Sequence, residues 1–259
     1  GFQSTKFQVT TKDGSFSVES SLLGTTNVMN ILAAAAVAIG EHIPIEVIQD
    51  GIRTASAVPG RFEQVSVGQP FLALIDYAHT EDALERLLQN ASTLLELSSS
   101  ARPHRSKRCH EEQLFLTEDV RRPGRIITVF GCGGNRDRGK RPKMGEIATQ
   151  LSYFTILTSD NPRYEDPKQI IHEIEAGIRR DNYIVIHDRK AAIAMAVELA
   201  SAGDIVVIAG KGHEDYQEIK GVKTHFSDRE VLQEAIQRLL ERQHRRKEKR
   251  GRSCRTSLC

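Results

Sequence analysis

Residues 126–134 read IITVFGCGG, and they are the clearest indication of the fold in this chain. Five consecutive apolar or β-branched residues indicate a strand buried on both faces, and the glycines predict a tight turn at its carboxyl end. Similar apolar runs occur at 71–77, 154–158, 183–186 and 205–209. Helical patterns alternate with them near residues 81–96, 143–152, 166–179, 188–202 and 228–243. The alternation predicts an α/β fold with a mostly parallel sheet covered on both faces.

The first 57 residues show a different pattern. Apolar and polar residues alternate over 6–20 around Asp13-Gly14, which predicts a β-hairpin. Two helices are expected to follow, at 27–39 and from Pro44 to Ala55. Val58-Pro59-Gly60 then interrupts the pattern. We therefore expect a small unit at 1–57 and an α/β domain at 58–243.

Two segments do not fit the alternation. Residues 97–124 combine a serine run with basic and acidic clusters, so we expect a mobile surface insertion. Residues 241–259 carry eight Lys or Arg and two Glu, a net charge of +6. Because the whole chain carries a net charge of +2, the remaining residues carry −4. The positive charge therefore belongs to the tail, and the body of the protein is not predicted to bind nucleic acid. Residues 244–259 are predicted to form a disordered basic tail.

The four cysteines have no paired spacing typical of metal sites or disulfide frameworks. No apolar run approaches the length of a membrane span, and no secretory signal opens the chain. We therefore expect a cytoplasmic protein with reduced thiols. The chain begins without an initiator Met, so we expect a piece of something longer or a processed product.

The turn after residue 130 nearly matches a phosphate loop. From Gly134 to Lys140 it reads G-x-x-x-x-G-K, but Arg141 stands where a Ser or Thr would bind Mg²⁺. It also fails as a dinucleotide fingerprint, because Arg136 occupies the third glycine position. A basic, glycine-rich turn suits a ligand that bears a carboxylate or phosphate. A flexible basic loop without a ligand is the alternative.

Three other loops after strands carry candidate binding residues. Asp160 can accept from an ammonium and Arg163 can grip a carboxylate, while Pro162 holds Asn161 extended. Such a set would bind a zwitterionic amino-acid head, although a helix cap beside a surface arginine fits the spacing equally well.

The loop that begins Gly210-Lys211-Gly212 lets a ligand approach the backbone, and its Glu214 offers a second anchor for an amine. His213-Glu214-Asp215 is a poor match to known metal sites, so no metal site is predicted. In the loop after 71–77, Asp76 could accept from ribose hydroxyls or cap the next helix. His79 there is more simply structural than a general base.

Taken together, these loops resemble the Mur ligase family. The resemblance is carried by Val58–Glu63, Asp76–Thr80, Gly131–Arg141, Asp160–Arg163 and Gly210–Gln217, in the expected order. It implies a Rossmann-like C-terminal domain from Arg61 onward, preceded by the end of the central ATPase domain. The family's phosphate loop and Mg²⁺ ligands lie in a segment without a counterpart here, so we expect no ATP turnover by this chain alone.

The resemblance also assigns roles to individual residues. It implies that the incoming amino acid is held by Arg136, Asp160, Asn161, Pro162, Arg163, Gly210 and Glu214. It implies that the nucleotide is contacted by Asn27, Asn30, Arg61 and Asp76. The catalytic residues themselves remain unassigned.

The sequence Asp160-Asn161-Pro162-Arg163 is similar to the form found in members that select meso-diaminopimelate. The resemblance implies that ATP phosphorylates the D-glutamate carboxylate of a UDP-N-acetylmuramoyl dipeptide, with Mg²⁺, and that diaminopimelate then attacks the acyl phosphate during peptidoglycan precursor synthesis. A non-catalytic amino-acid-binding fragment, a lysine-adding ligase and a polyglutamate-adding ligase are the alternatives. The oligomeric state cannot be read from the sequence.

Overall fold

The computed structural model describes residues 4–12, 14–100 and 122–256 of the 259-residue chain. The strands are β1 Thr5–Thr11, β2 Gly14–Ser20, β3 Glu63–Gln64, β4 Leu72–Asp76, β5 Ile126–Phe130, β6 Phe154–Leu157, β7 Tyr183–Val185, β8 Ile205–Ala209, β9 Tyr216–Ile219 and β10 Val222–His225. The helices are α1 Thr25–Gly40, α2 Ile45–Thr54, α3 Glu81–Ser100, α4 Lys140–Leu151, α5 Pro167–Glu175, α6 Arg189–Leu199 and α7 Asp228–Thr256.

The central sheet confirms the predicted α/β fold. Its strand order is β3-β4-β8-β5-β6-β7, and all pairs are parallel except β3 with β4. Every residue of β5 and β8 is buried, as expected for strands covered on both faces. Because β8 is inserted between β4 and β5, loops from distant parts of the chain meet at one edge of the sheet.

Two apolar clusters cover the two faces of this sheet. On one face, Leu74 and Phe130 pack against the helices α3, α4 and α5. On the other, Val129 and Ile208 pack with Ile193 of α6 and with α7. Burying one such large aliphatic side chain stabilises the fold by about 1.5–3 kcal/mol. The two clusters therefore hold the sheet edge, and the loops on it, in a fixed position.

The N-terminal residues have a separate apolar cluster. The predicted hairpin is confirmed as β1 paired antiparallel with β2, and the two predicted helices are confirmed as α1 and α2. Val9, Phe16 and Val18 of the hairpin pack against α1 and α2, away from the two sheet clusters. The separation is not complete, because Leu23 belongs to the first sheet cluster, and the domain boundary after residue 57 stays a prediction.

The predicted insertion at 97–124 begins too early. Helix α3 continues to Ser100, because Leu94 and Leu95 extend its apolar face against the sheet. At the other end, Arg122 and Arg125 are docked by ion pairs to the buried carboxylate of Asp204. Residues 101–121 lie outside the described part of the chain.

The prediction of a disordered tail at 244–259 is wrong for residues 244–256, which continue α7. Lys, Arg, Glu and Gln are good helix formers, and no proline interrupts them. Glu241 and Arg245 also form an ion pair one helical turn apart. Residues 257–259 lie outside the described ranges.

The short strand β3 and the hairpin β9–β10 were not predicted. The hairpin follows the Gly210 loop, and β10 is exposed along its whole length, so it shows no apolar alternation. Within the described ranges, no helix combines the length and the apolar character needed to cross a membrane.

Candidate functional site

The loops after β4, β5, β6 and β8 surround a cavity of about 530 Å³ at the carboxyl edge of the sheet, here called the polar cavity. Six of the seven residues predicted to hold an amino acid line it: Arg136, Asp160, Asn161, Arg163, Gly210 and Glu214. Pro162 is the exception, since it packs its carbonyl oxygen against Gly134. The convergence rests on the parallel strand order, which brings the loops together.

The glycines after β5 allow close packing between loops. A Cβ atom on Gly131 would lie 2.1 Å from the Thr158 carbonyl oxygen, and one on Gly134 would lie 1.9 Å from that of Pro162. The Gly134 N–H donates to the Asn161 carbonyl oxygen at 2.8 Å. The glycine-rich turn is therefore packed against the loop after β6, with its backbone already engaged there.

Arg141 explains why the apparent phosphate loop cannot act as one. Its guanidinium is fully buried and donates to Glu165 through both terminal nitrogens, at 2.8 and 3.0 Å. It also donates to Glu173 at 2.7 Å and to the Gly133 carbonyl oxygen at 3.1 Å. The side chain in the Mg²⁺-binding position of the motif is thus a structural cation that ties the two loops together.

Asp160 is the buried carboxyl group of the polar cavity. Burial raises the pKa of its carboxyl group, while the nearby charges of Arg189 and Lys211 oppose that rise. A Cβ atom on Gly210 would lie 2.7 Å from Asp160 Oδ2, so only glycine leaves this carboxylate room. Arg189 is itself held by two bonds of 2.7 Å to Asp228.

The buried Lys211 forms a bonded triad with Asn161 and Glu214, two residues that line the polar cavity. The buried Lys211 ammonium donates to Asn161 Oδ1 at 3.0 Å and to Glu214 Oε2 at 3.3 Å. The Asn161 side-chain amide donates to the same Glu214 oxygen at 2.8 Å. Asn161 therefore orients Glu214 toward the cavity, a role that the loop sequence alone did not indicate. Lys211 was missed because no sequence pattern marks a buried lysine.

Arg163 adopts a left-handed backbone conformation with φ of 52°, which is energetically unfavourable for a residue that carries a side chain. Its Nη1 donates to the Gly134 carbonyl oxygen at 2.8 Å, and its Nε lies 3.6 Å from Glu218 Oε2. Arg136, by contrast, is exposed at the mouth of the cavity. The polar cavity thus has one braced arginine inside and one exposed arginine at its rim.

Other lining residues were not selected from the sequence as ligand contacts. Lys140 is nearly buried and donates from Nζ to the His79 carbonyl oxygen at 2.6 Å. The His79 ring nitrogen Nδ1 lies 2.9 Å from the Tyr77 carbonyl oxygen, a local contact that suits the structural interpretation of this histidine. Tyr216 and Asp137 also line the cavity.

The four predicted nucleotide contacts line a second cavity of about 380 Å³, here called the junction cavity. Asn27 and Asn30 reach it from α1, whereas Arg61 and Asp76 belong to the sheet domain. Asp76 accepts from the N–H groups of Phe62 and Ala78 at 2.7 and 2.8 Å. Burial raises the pKa of its carboxyl group. The junction cavity therefore lies where the N-terminal apolar cluster meets the sheet domain.

Gly60 and Tyr77 connect the two cavities. Tyr77 lines the polar cavity, while the preceding residue, Asp76, lines the junction cavity. The Tyr77 N–H donates to the Gly60 carbonyl oxygen at 2.8 Å, and a Cβ atom on Gly60 would lie 2.2 Å from the His213 nitrogen. The Val58–Gly60 turn is therefore in direct contact with the loop after β8.

The described residues contain no group of three or more His, Cys, Asp or Glu side chains placed to hold a metal ion. Cys132, in the wall of the polar cavity, is buried, and burial raises its pKa to about 12. Its thiol is therefore protonated at neutral pH and unsuited to act as a nucleophile.

The fold and the paired cavities define an α/β domain with a polar cavity lined by charged side chains and a second cavity shared with the N-terminal residues. Comparison with protein families agrees: residues 114–212 match the model described as Mur ligase, glutamate ligase domain. The chain belongs to the Mur ligase family.

The relatives in the curated set make the comparison more specific. The chain is 43% identical over 237 residues to a UDP-N-acetylmuramoyl-L-alanyl-D-glutamate–2,6-diaminopimelate ligase of Solibacter usitatus, covering 91% of this chain and 42% of that protein. It is 43% identical over 227 residues to the ligase of the same name from Syntrophomonas wolfei, covering 86% and 41%. A solved structure of such a ligase superposes with a TM-score of 0.63 at 39% identity, covering 90% of this chain and 43% of that one. The chain thus spans about two fifths of the length of the relatives it matches.

Proposed function

We propose that this protein provides the amino-acid site, and part of the nucleotide site, of an ATP-dependent ligase that joins meso-diaminopimelate to the D-glutamate of a UDP-N-acetylmuramoyl dipeptide. The product would be a peptidoglycan precursor. The observation that carries the proposal is the arrangement of the polar cavity, in which Asp160, a braced glutamate and a braced arginine face one space. The names of the relatives support the same reaction.

The charges of the polar cavity suit a doubly zwitterionic ligand. Asp160 and Glu214 offer acceptors for ammonium groups, and Arg163 and Arg136 offer donors for carboxylates. Diaminopimelate carries two groups of each kind. Lysine carries an ammonium at its distal end but no carboxylate, so it would leave the remaining guanidinium donors of Arg163 desolvated without a ligand carboxylate. The cavity therefore favours diaminopimelate over lysine.

In this proposal the junction cavity takes the adenosine part of ATP. The resemblance to the family and the position of Asn27, Asn30, Arg61 and Asp76 around one space support the assignment. Asp76 uses both carboxylate oxygens to hold the adjacent turns, and each oxygen keeps a lone pair for a ribose hydroxyl. Asp76 would then both hold the adjacent turns and contact the ribose of the nucleotide.

The chemistry assigned to this chain is delivery of the amine. Asp160 and Glu214 would fix the position of the amino group. After this group loses a proton to solvent, it would attack the acyl carbon of the dipeptide's acyl phosphate, so that the amide bond forms, the bond to the phosphate oxygen breaks and inorganic phosphate leaves. The walls of the polar cavity would limit the access of water to the same intermediate. Mg²⁺, which the family implies, would neutralise phosphate charge, and no metal cluster among the described residues supplies its ligands.

The test is a titration of the 259-residue chain with meso-diaminopimelate and with L-lysine, followed by two-dimensional NMR. We expect diaminopimelate alone to shift the signals of residues 131–141, 160–163 and 210–214, and Arg163→Ala to weaken binding at least about tenfold. Arg179→Ala is the control, because it removes an exposed arginine after α5, at the opposite edge of the sheet. An equal response to lysine would contradict the proposed selectivity.

A second assay separates the ligase from a non-catalytic binding fragment. The chain alone is expected not to hydrolyse ATP, because its only near-match to a phosphate loop has a buried structural arginine in the metal-binding position. A longer version aligned to the full length of the relatives should form the amide bond. If that longer protein bound diaminopimelate without consuming ATP, the fragment would be a binding module.

A further inference from the structure

The hairpin β9–β10 lies against the loop after β6. Its two strands pair antiparallel from Tyr216–His225 to Ile219–Val222. Lys220 and Gly221 form its turn with positive φ angles of 51° and 77°, the backbone that tight two-residue hairpin turns require. An isolated bridge joins Ile219 to Arg163. The hairpin is therefore attached to the segment that carries the cavity arginine.

Four hydrogen bonds make this attachment. The Gln217 side chain donates to the Asp160 carbonyl oxygen at 2.8 Å, and the Glu218 N–H donates to Asn161 Oδ1 at 3.0 Å. The Arg163 N–H donates to the Glu218 carbonyl oxygen at 3.0 Å, and its own carbonyl oxygen accepts from the Lys220 N–H at 2.6 Å. These bonds hold Arg163 in its left-handed backbone conformation.

The side chain of Glu218 continues the same contact. Its Oε2 lies 3.6 Å from Arg163 Nε, and both side chains are less than one fifth exposed. Arg163 is among the described residues that line the polar cavity, and Glu218 is not. Gly134 holds Nη1 from another side, and no described residue accepts a hydrogen bond from Nη2. The guanidinium is thus held at two edges, with its remaining donors available to a ligand.

We propose that Glu218 is a positioning residue, which sets the direction of the Arg163 guanidinium and thereby the preference for an amino acid with a distal carboxylate. The inference rests on the proposed function of the polar cavity. A guanidinium is planar, and its two-point match to a carboxylate holds only in a narrow range of orientations. A carboxylate behind Nε restricts that range before a ligand arrives.

Glu218 also carries a negative charge that would repel a ligand carboxylate. The Arg163 guanidinium already pairs with Glu218, and it would lie between Glu218 and the ligand carboxylate. The orienting effect is therefore expected to exceed the repulsion, and removing the charge should weaken binding of diaminopimelate. Lysine has no distal carboxylate, so its weaker binding should not change.

The test is Glu218→Gln, which keeps the backbone bonds of the hairpin. We expect diaminopimelate to bind about three- to fivefold more weakly, lysine to be unaffected, and Glu218→Gln to have no further effect when combined with Arg163→Ala. Glu230→Gln is the matched control, because it removes an equal charge from an exposed residue beside the hairpin, where Glu230 pairs with His225. Unchanged binding by Glu218→Gln would overturn the inference.

A second measurement keeps this test separate from the proposed function. The Nε–H signal of Arg163 in the ligand-free chain should exchange with water faster in Glu218→Gln than in the wild type and in Glu230→Gln. If wild-type chain bound no diaminopimelate, the proposed function would fail for this chain, and the Arg163 signal would still decide whether Glu218 orients it. An Nε–H signal with the same exchange rate in all three proteins would refute the inference.

Discussion

In the polar cavity the side chains of Asn161, Glu214 and Arg163 are held by neighbouring residues, whereas in the junction cavity two of the four predicted contacts are exposed. Lys211, Asn161 and Glu214 are bonded together, and the Arg163 side chain is braced by Gly134 and Glu218. At the junction, Asn30 and Arg61 are exposed. Asp76, which lies in the sheet domain, is held by hydrogen bonds from backbone N–H groups. The polar cavity is formed by the sheet domain alone, whereas the junction cavity gathers residues from the sheet domain and from α1.

This difference indicates how each site achieves its geometry. A braced set loses little conformational freedom when a ligand binds, so selectivity between similar amino acids can be built into it. A set shared between two cores can complete its geometry only when those cores are correctly placed. Four substitutions test the comparison.

Arg141→Met should destabilise the chain by about 3 kcal/mol, because it removes a buried cation from Glu165 and Glu173 and unties the two loops. Urea unfolding measures the effect. Arg138→Met is the matched control: it loses the same Glu173 partner from a largely exposed position and should cost less than about 1 kcal/mol. Equal losses in the two variants would show that burial of Arg141 is not what braces the polar cavity.

Gly60→Ala should cost about 2–3 kcal/mol. The new Cβ atom would clash with the backbone at His213, in addition to the strain of a side chain at φ of 69°. Gly68→Ala isolates the strain, since its φ is 97° and no heavy atom lies within 4 Å of the new Cβ; about 1 kcal/mol is expected. Thermal unfolding compares them. If both lost the same stability, the contact between the Val58–Gly60 turn and the loop after β8 would carry no weight.

Glu173→Gln should remove part of the acid sensitivity of the polar-cavity loops. The guanidinium of Arg138, with that of Arg141, lowers the Glu173 pKa from about 4.5 to about 2. Because the folded-state pKa lies below the unfolded one, this stabilisation is complete above pH 4.5 and is lost as the pH falls toward 2. The difference in urea midpoint between wild type and variant should therefore shrink from pH 6 to pH 3. A constant difference would contradict the assignment.

Asn30→Ala should change the free energy of unfolding by less than about 0.5 kcal/mol, because the side chain is exposed at the junction cavity. Asn161→Ala is the contrasting variant in the polar cavity, where it would leave Lys211 and Glu214 without a shared partner. Parallel denaturant titrations give both values. If Asn30→Ala were as damaging as Asn161→Ala, the two cavities would not differ in bracing.

The sequence predicted the central sheet well because its strands are apolar on both faces. For β5 and β8 the predicted limits, 126–130 and 205–209, equal the observed ones. The hairpin β9–β10 was missed because its residues are largely polar and its turn is Lys-Gly, a weak hairpin signal. The length of α7 was missed because its basic composition resembles that of a solvated tail, although the same residues favour helix.

The position of the loops after parallel strands was enough to predict that most candidate site residues lie together. The hydrogen bonds and ion pairs between their side chains were not predictable. Asn161 was chosen as a ligand contact, and its side chain is used mainly to hold Lys211 and Glu214. Arg141 was seen only as a failed phosphate-loop residue, because its carboxylate partners lie 24 and 32 positions along the chain. Such partners depend on packing that periodicity does not encode.

Asp76 and Tyr77 are neighbours in the chain, yet each lines a different cavity. Their Cα atoms are therefore about 3.8 Å apart in every conformation of the protein. A hinge rotation between the two cores would widen or narrow the junction cavity only on the side of α1, and would leave the distance from Asp76 to the polar cavity unchanged. The Asp76–Tyr77 peptide unit therefore keeps one wall of each cavity at a constant separation, and a rotation of α1 can be measured as a change in its distance from Asp76.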